Sequence, residues 1–283
     1  MNAPSNAVAN TVARPLPEWR RFRFPQSLYK YGALAAALAF VWWSLDVLRI
    51  DTERLPGLFG RIGDVLARRY WPPEWSHIVK PGFIDAMIDT FQMSYVATVV
   101  GLLVAVPLAW FASFNMTPSR RVLYPVCRLI VMSCRSVHEM IWTIVLVAVV
   151  GFGMLPGTLA MTLFCIGFGG KLMSEAIEAI RKGPVEAIRA TGAGHLQTFA
   201  FAVLPQVRVA WAGIAIYTWD VVFRASTVVG FFGAGGMGHY LRESVQRVES
   251  RQVAAIILTI VGIVIVAELF SAWMRGRIAR AVA

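Results

Sequence analysis

The apolar positions of this chain fall into long runs separated by short polar or basic connections, the pattern of a polypeptide that crosses a membrane several times. Tyr31 to Leu48 forms the first run. It is short against the roughly 20 residues that about 30 Å of hydrocarbon requires, with Trp42 and Trp43 as interfacial anchors. Thr90 to Phe114 is the cleanest run. Val122 to Phe152 is too long for one untilted helix and is interrupted by Arg135-Ser136-Val137-His138-Glu139. That interruption predicts a broken helix, because charge and non-helical backbone at membrane depth are tolerated only inside protein or beside a wet cavity. Runs from Thr158 to Met173, Val203 to Phe223 and Val253 to Met274 complete an all-α integral membrane protein of about six transmembrane helices.

The connections set its orientation. Residues 1–30 form a basic leader, with Arg14, Arg20, Arg21, Arg23 and Lys30, which reads as largely disordered and cytoplasmic. Arg120 and Arg121, then Arg181, Lys182 and Arg189, then Arg275, Arg277 and Arg280 place alternate connections and both termini on the cytoplasmic side of the membrane. Residues 31–89 hold the first span and an outside segment whose Arg49, Arg54, Arg61, Arg68, Arg69 and Lys80 run against that rule. In that segment Leu58, Phe59, Ile62, Val65 and Leu66 recur at helical spacing opposite arginines, so an amphipathic helix lying on the membrane is expected, ending near Trp71-Pro72-Pro73. Residues 90–283 make up the remaining core.

Composition agrees with this reading. In 283 residues, 57% are apolar and only 15% charged, which excludes an ordinary soluble domain. The net charge of +11 raises nucleic-acid binding, but the basic residues are spread over several connections and a tail, and an anionic lipid surface accounts for them. Cys127, Cys134 and Cys165 lie in apolar runs without metal-ligand spacing, so buried free thiols are expected. His77, His195 and His239 are isolated, and no metal site or catalytic constellation is expected. The first apolar run follows a long basic stretch without a convincing cleavage site, so no secretory signal is expected.

A polar island from Ser174 to Phe201 carries the most specific signal. Gly183 suits the end of one helix and Pro184 the start of the next, predicting a short cytoplasmic helix from Val185 to Thr191, closed by Gly192 and Gly194. Val185 and Ile188 give it a small apolar face suited to a groove on a partner protein. The run Glu186-Ala187-Ile188-Arg189-Ala190-Thr191-Gly192, followed after a gap by Ala202-Val203-Leu204-Pro205, resembles the coupling motif of binding-protein-dependent ABC importer permeases. That motif reads Glu-Ala-Ala, three residues, Gly, nine residues, then Ile-x-Leu-Pro; Ile188 and Ala202 depart from it at apolar positions only. Trp219-Asp220, Arg224, Thr227-Val228-Val229-Gly230 and Gly233-Ala234-Gly235-Gly236-Met237-Gly238 resemble the phosphonate importer permeases within that family. So do Arg135 to Trp142 and Gln252 to Ile257, with His138 at a usual proline and Asp220 at a usual glutamate.

The resemblance implies a type I importer permease fold that homodimerises around a central pathway. It further implies a cytoplasmic ABC ATPase dimer, holding ATP and Mg, that grips Glu186, Ala187, Ile188, Gly192, Leu204 and Pro205, and an extracytoplasmic binding protein that delivers phosphonate or phosphite. The ATPase must be another chain, because Gly169-Gly170-Lys171-Leu172 lacks the first glycine and the Ser/Thr of a phosphate-binding loop.

Pathway candidates are Arg135, His138, Glu139, Asp220, Arg224 and Thr227. Asp220 and Arg224, four apart, fit either an ion pair or contact with an anion. Arg135, beside a helix break with unpaired N–H groups, is the better anion candidate, and His138 either adds charge or serves as a neutral hydrogen-bonding group. Gly233, Gly235, Gly236 and Gly238 predict a tight outer turn that forms part of a gate. The nearest alternative is the same machine carrying methionine, phosphate or a quaternary amine. From other classes, an enzyme acting on a lipid phosphate would use Arg135, His138 and Glu139, and a channel would conduct without ATP.

Overall fold

The structure, a computed structural model, describes residues 26–48 and 57–280, all of whose regular elements are helical. The leader through Arg23, together with Arg49 and Arg54, lies outside the described residues. The chain divides into two compact units, residues 1–62 and 63–283.

The first unit contains α1 (Gln26–Val47), which starts about a turn before the apolar run because the helix continues past the hydrocarbon edge. No residue of its apolar stretch Leu28–Val47 is buried, the surface expected of a helix made for lipid. The amphipathic helix α2 (Leu58–Val65) continues as a π-helical turn, Leu66–Tyr70, and ends at Trp71 as expected.

The second unit is a bundle of α3 (Pro81–Phe111), α4 (Leu123–Ser136), α5 (Glu139–Val150), α6 (Met154–Glu178), α7 (Lys182–Ala190), α8 (His195–Thr198), α9 (Leu204–Val229), α10 (Gly236–Gln246) and α11 (Ser250–Arg280). Among the described residues, five helical segments are long and apolar enough to cross a membrane, six when α4 and α5 count as one bent span. The chain is a multi-pass membrane protein. Several helices outrun their apolar cores: α3 begins at Pro81 rather than Thr90, and α6 covers Met154–Glu178 rather than Thr158–Met173. Their polar ends pass into the headgroup layer, where hydropathy no longer marks them.

The central pair, α3 and α6, packs through small residues. A Cβ on Gly101 would collide with Cys165, and one on Gly157 would lie 2.8 Å from the Met93 sulfur and closer still to Ala234. In lipid, such close backbone approach replaces the hydrophobic effect as the source of helix association. Some hydroxyls within the spans bond back to their own helices, Thr98 to the Ser94 carbonyl at 2.7 Å and Thr162 to that of Thr158 at 2.7 Å, which satisfies those donors in an apolar medium.

The break between α4 and α5 is an 88° bend. Val137 and His138 are extended there, and His138 Nδ1 accepts the Met140 N–H at 3.3 Å, capping α5. The same Nδ1 lies 3.4 Å from Glu139 Oε2. Histidine thus supplies the cap of α5.

Candidate functional site: an exposed helix and a basic cavity

The short helix α7 begins at Lys182, so Gly183 and Pro184 sit in its first turn; Gly183 does not close α6, which ends at Glu178. Its apolar face also points the other way from expectation. Val185 is buried, and with the half-buried Ile188 it packs on a core of Met173 and Ile177 from α6, Val203 just before α9, and Val207 from α9. A groove on a partner is therefore not needed to cover them, because the chain's own core does so. Glu186, Ala187 and Arg189 are left exposed.

The start of α7 is clamped to α9. Gln206 Oε1 accepts the N–H of Arg181, the residue capping α7, at 3.1 Å, and its Nε2 donates to Ala202 at 2.7 Å. Beyond Ala190 and the capping Thr191 the chain turns at Gly192, which has a φ of 84° and whose N–H donates back to the Arg189 carbonyl at 3.0 Å. Gly194 then starts α8, its N–H bonded to Gln197 Oε1 at 3.0 Å. Leu204 and Pro205 open α9, both exposed, Pro205 in the first turn where a missing N–H costs nothing. Val185 and Ile188 share their core with Trp110, Phe199 and Trp211, with Trp110 and Phe199 stacked at 4.4 Å.

Arg135 lies in the last turn of α4 beside the break and is exposed to a cavity of about 320 Å³ that also takes in Arg128, Ser136, Lys171 and Ser174. Arg128 pairs with Glu178 at 3.6 Å and Lys171 with Glu175 at 3.6 Å, whereas Arg135 has no carboxylate partner among the described residues. Arg128 was not singled out by the sequence, and Lys171 only as part of a rejected phosphate-binding loop. Their spacing, Arg128 two turns before Arg135 and Lys171 in a glycine-rich stretch, is a signal only once α4 is known to lie on α6.

Asp220, Arg224 and Thr227 are not brought to that cavity. Asp220 is buried and receives Arg224 Nη2 at 3.3 Å, and Arg224 also approaches Glu268 on α11 at 3.8 Å. The ion pair accounts for both residues. Thr227 is buried, its hydroxyl donating to the Arg224 carbonyl at 2.7 Å.

The glycine run makes a packed turn at the opposite end of the bundle from α7. Gly233, Gly235 and Gly236 have φ of 104°, 78° and 66°, conformations that favour glycine. Gly238 lies so near Phe231 N and the Thr227 carbonyl that a Cβ would approach each to 2.5 Å. Gly153 donates to the Gly233 carbonyl at 3.0 Å, and Thr90 Oγ1 accepts the Met237 N–H at 2.9 Å, tying the turn to the α5–α6 connection and to α3. The turn opens into α10, a helix the sequence reading missed. Its signal was present, since Met237, Tyr240, Leu241 and Ser244 recur at helical spacing and Met237 joins a core with Phe83 and Ile256.

A family model described as binding-protein-dependent transport system inner membrane component matches residues 89–283. The chain belongs to this family. Among its relatives in the family, a phosphite transport system permease protein of Stutzerimonas stutzeri is 41% identical over 82% of each chain. A phosphate-import permease protein of Mycolicibacterium smegmatis is 36% identical over 90% of this chain and 46% of that longer protein. The fold is that of a methionine ABC transporter solved in inward-facing conformations, at 19% identity and a TM-score of 0.59 over 70% of this chain and 96% of that one. As in the relatives, the role is that of a membrane permease and not of a catalytic subunit. The family match begins at Asp89 and so contains α7, the basic cavity and the glycine turn, while α1 and α2 lie before it.

Proposed function

We propose that this permease carries a small phosphorus oxyanion, phosphonate or phosphite, across a bacterial inner membrane into the cytoplasm. A separate ABC ATPase dimer drives it, and an extracytoplasmic binding protein supplies the cargo. Two copies of the chain form the pathway, because a two-ATPase engine needs two docking helices and each chain carries one. Both termini and α7 face the cytoplasm. The observation that carries this reading is α7 itself: a helix with exposed Glu186, Ala187 and Arg189, locked through Val185 and Gln206 to the spans it would have to move. The ATPase docks on Glu186, Ala187, Gly192, Leu204 and Pro205, with Ile188 serving as an anchor from beneath. The identity to a phosphite permease and a carboxylate-free Arg135 beside the break support the choice of cargo. Arg135, His138 and Glu139 border the pathway, Asp220, Arg224 and Thr227 brace its wall, and the turn of Gly233, Gly235, Gly236 and Gly238 closes its outer end.

The test is the complete importer in liposomes. Phosphite or methylphosphonate should stimulate ATP hydrolysis in the presence of the binding protein and accumulate inside. Stimulation by methionine or a quaternary amine instead would reassign the cargo. Turnover of a lipid phosphate by the permease without its ATPase would remove it from transport altogether.

A further inference from the structure

We infer that Arg128, Arg135 and Lys171 form a holding site for a tetrahedral oxyanion in the α7-side half of the membrane, and that Glu178 is the carboxylate that competes with the cargo for Arg128. The inference rests on the oxyanion-permease reading above and assigns its residues.

The geometry follows from one close contact. A Cβ on Gly167 of α6 would lie 2.8 Å from the Arg135 backbone nitrogen and 3.0 Å from the Cys134 carbonyl carbon, so only glycine lets the end of α4 rest on α6 there. Lys171 follows Gly167 by one helical turn and Arg128 precedes Arg135 by two, so both cations fall on the facing surfaces of the same helix pair. The cavity between them, about 320 Å³, exceeds a water's share of roughly 30 Å³ about tenfold, leaving room for an oxyanion with part of its hydration.

The charges are unbalanced in favour of an anion. Three cations face the cavity, and two carboxylates answer them, Glu178 at 3.6 Å from Arg128 and Glu175 at 3.6 Å from Lys171. An uncompensated guanidinium within the membrane is costly, and a visiting oxyanion offers it paired acceptors. Arg135 is the cation left for the cargo.

Glu178 links this site to α7. It is the last residue of α6, and its Oε1 accepts the Phe114 N–H at 3.0 Å as well as facing Arg128 Nη1. Arg128 Nη1 also donates to the Ala112 carbonyl at 3.3 Å. A push on α7, which starts four residues later, displaces Glu178 against the 112–128 segment. Withdrawal frees Arg128 for the oxyanion; return lets the carboxylate reclaim Arg128 and expels the cargo toward the α7 side.

The experiment uses the complete importer in liposomes with radiolabelled phosphite as probe. Losing one charge-assisted contact costs about tenfold or more, so Arg135→Gln and Lys171→Met should lower phosphite delivered per ATP hydrolysed by that factor, with Arg135→Lys recovering part of it. Glu178→Gln should retain about tenfold more phosphite on the detergent-purified complex and slow its delivery. Wild-type delivery per ATP in both neutral variants would overturn the site, as would unchanged phosphite retention in Glu178→Gln. If an arginine variant fails to assemble, the retention measurement on Glu178→Gln decides alone. Failure of the wild-type importer to move any phosphorus oxyanion would instead remove the functional reading on which the site rests.

Discussion

Gly192 and Gly236 both hold positive φ, at 84° and 66°, yet a methyl group added to each meets different surroundings. Nothing lies within 4 Å of a Cβ on Gly192, so Gly192→Ala should lose only the left-handed backbone penalty of about 1–2 kcal/mol. A Cβ on Gly236 would overlap Thr90 Oγ1, the atom that holds the Met237 N–H, so Gly236→Ala adds overpacking and a lost hydrogen bond, about 3 kcal/mol or more in all. Apparent unfolding midpoints in detergent should separate the two, and equal shifts would contradict the packed turn. The Asp220–Arg224 pair makes a similar comparison. Arg224→Ala strands a buried carboxylate near Glu268 and should cost about 2–3 kcal/mol, less than a fully enclosed pair because Arg224 is half exposed. Pairing Asp220→Asn with Arg224→Gln removes both charges, and that double variant should unfold at a higher temperature than Arg224→Ala.

At the scale of elements, α7 is a lever only if both of its attachments hold. Gln206→Ala removes the bond from the Arg181 N–H and should let the start of the helix move without the spans, so the complete importer would hydrolyse ATP while delivering several-fold less cargo. Equal coupling in that variant would show that Val185 and its buried neighbours transmit the motion alone. Much of this element was readable in advance, because the Glu186 to Gly192 spacing and Pro205 mark a helix, its stop and its return into the membrane. Its apolar face was misassigned, since Val185 and Ile188 look the same whether they await a partner or cover Met173 and Val203. The broken span was legible for a different reason: Arg135 and Glu139 interrupt an apolar run, and charge at depth forces a break. What joins Arg135 to Lys171 was not legible, because the contact that aligns α4 on α6 is the absence of a side chain at Gly167.

For the whole molecule, the distribution of positive charge leaves orientation open while the architecture fixes which surfaces share a side. Arg120, Arg121, Arg181 and Arg189 gather at the α7 end, but Arg242, Arg247 and Arg251 lie toward the other, so counting cations alone gives a weak bias. Helix α6 runs from the glycine turn to the start of α7, and its 25 residues span about 37 Å, enough to put the two ends on opposite faces of a bilayer. The proposed import by an ATPase docked on α7 demands that the α7 end face the nucleotide pool. With Cys127, Cys134 and Cys165 replaced by alanine, Glu186→Cys should react with a membrane-impermeant maleimide only in inside-out vesicles, and Gln246→Cys only in intact spheroplasts. Labelling of both from one face would break the bundle's topology. A clean reversal of the two would preserve the fold yet place α7 outside the cell, where no ATP could drive it.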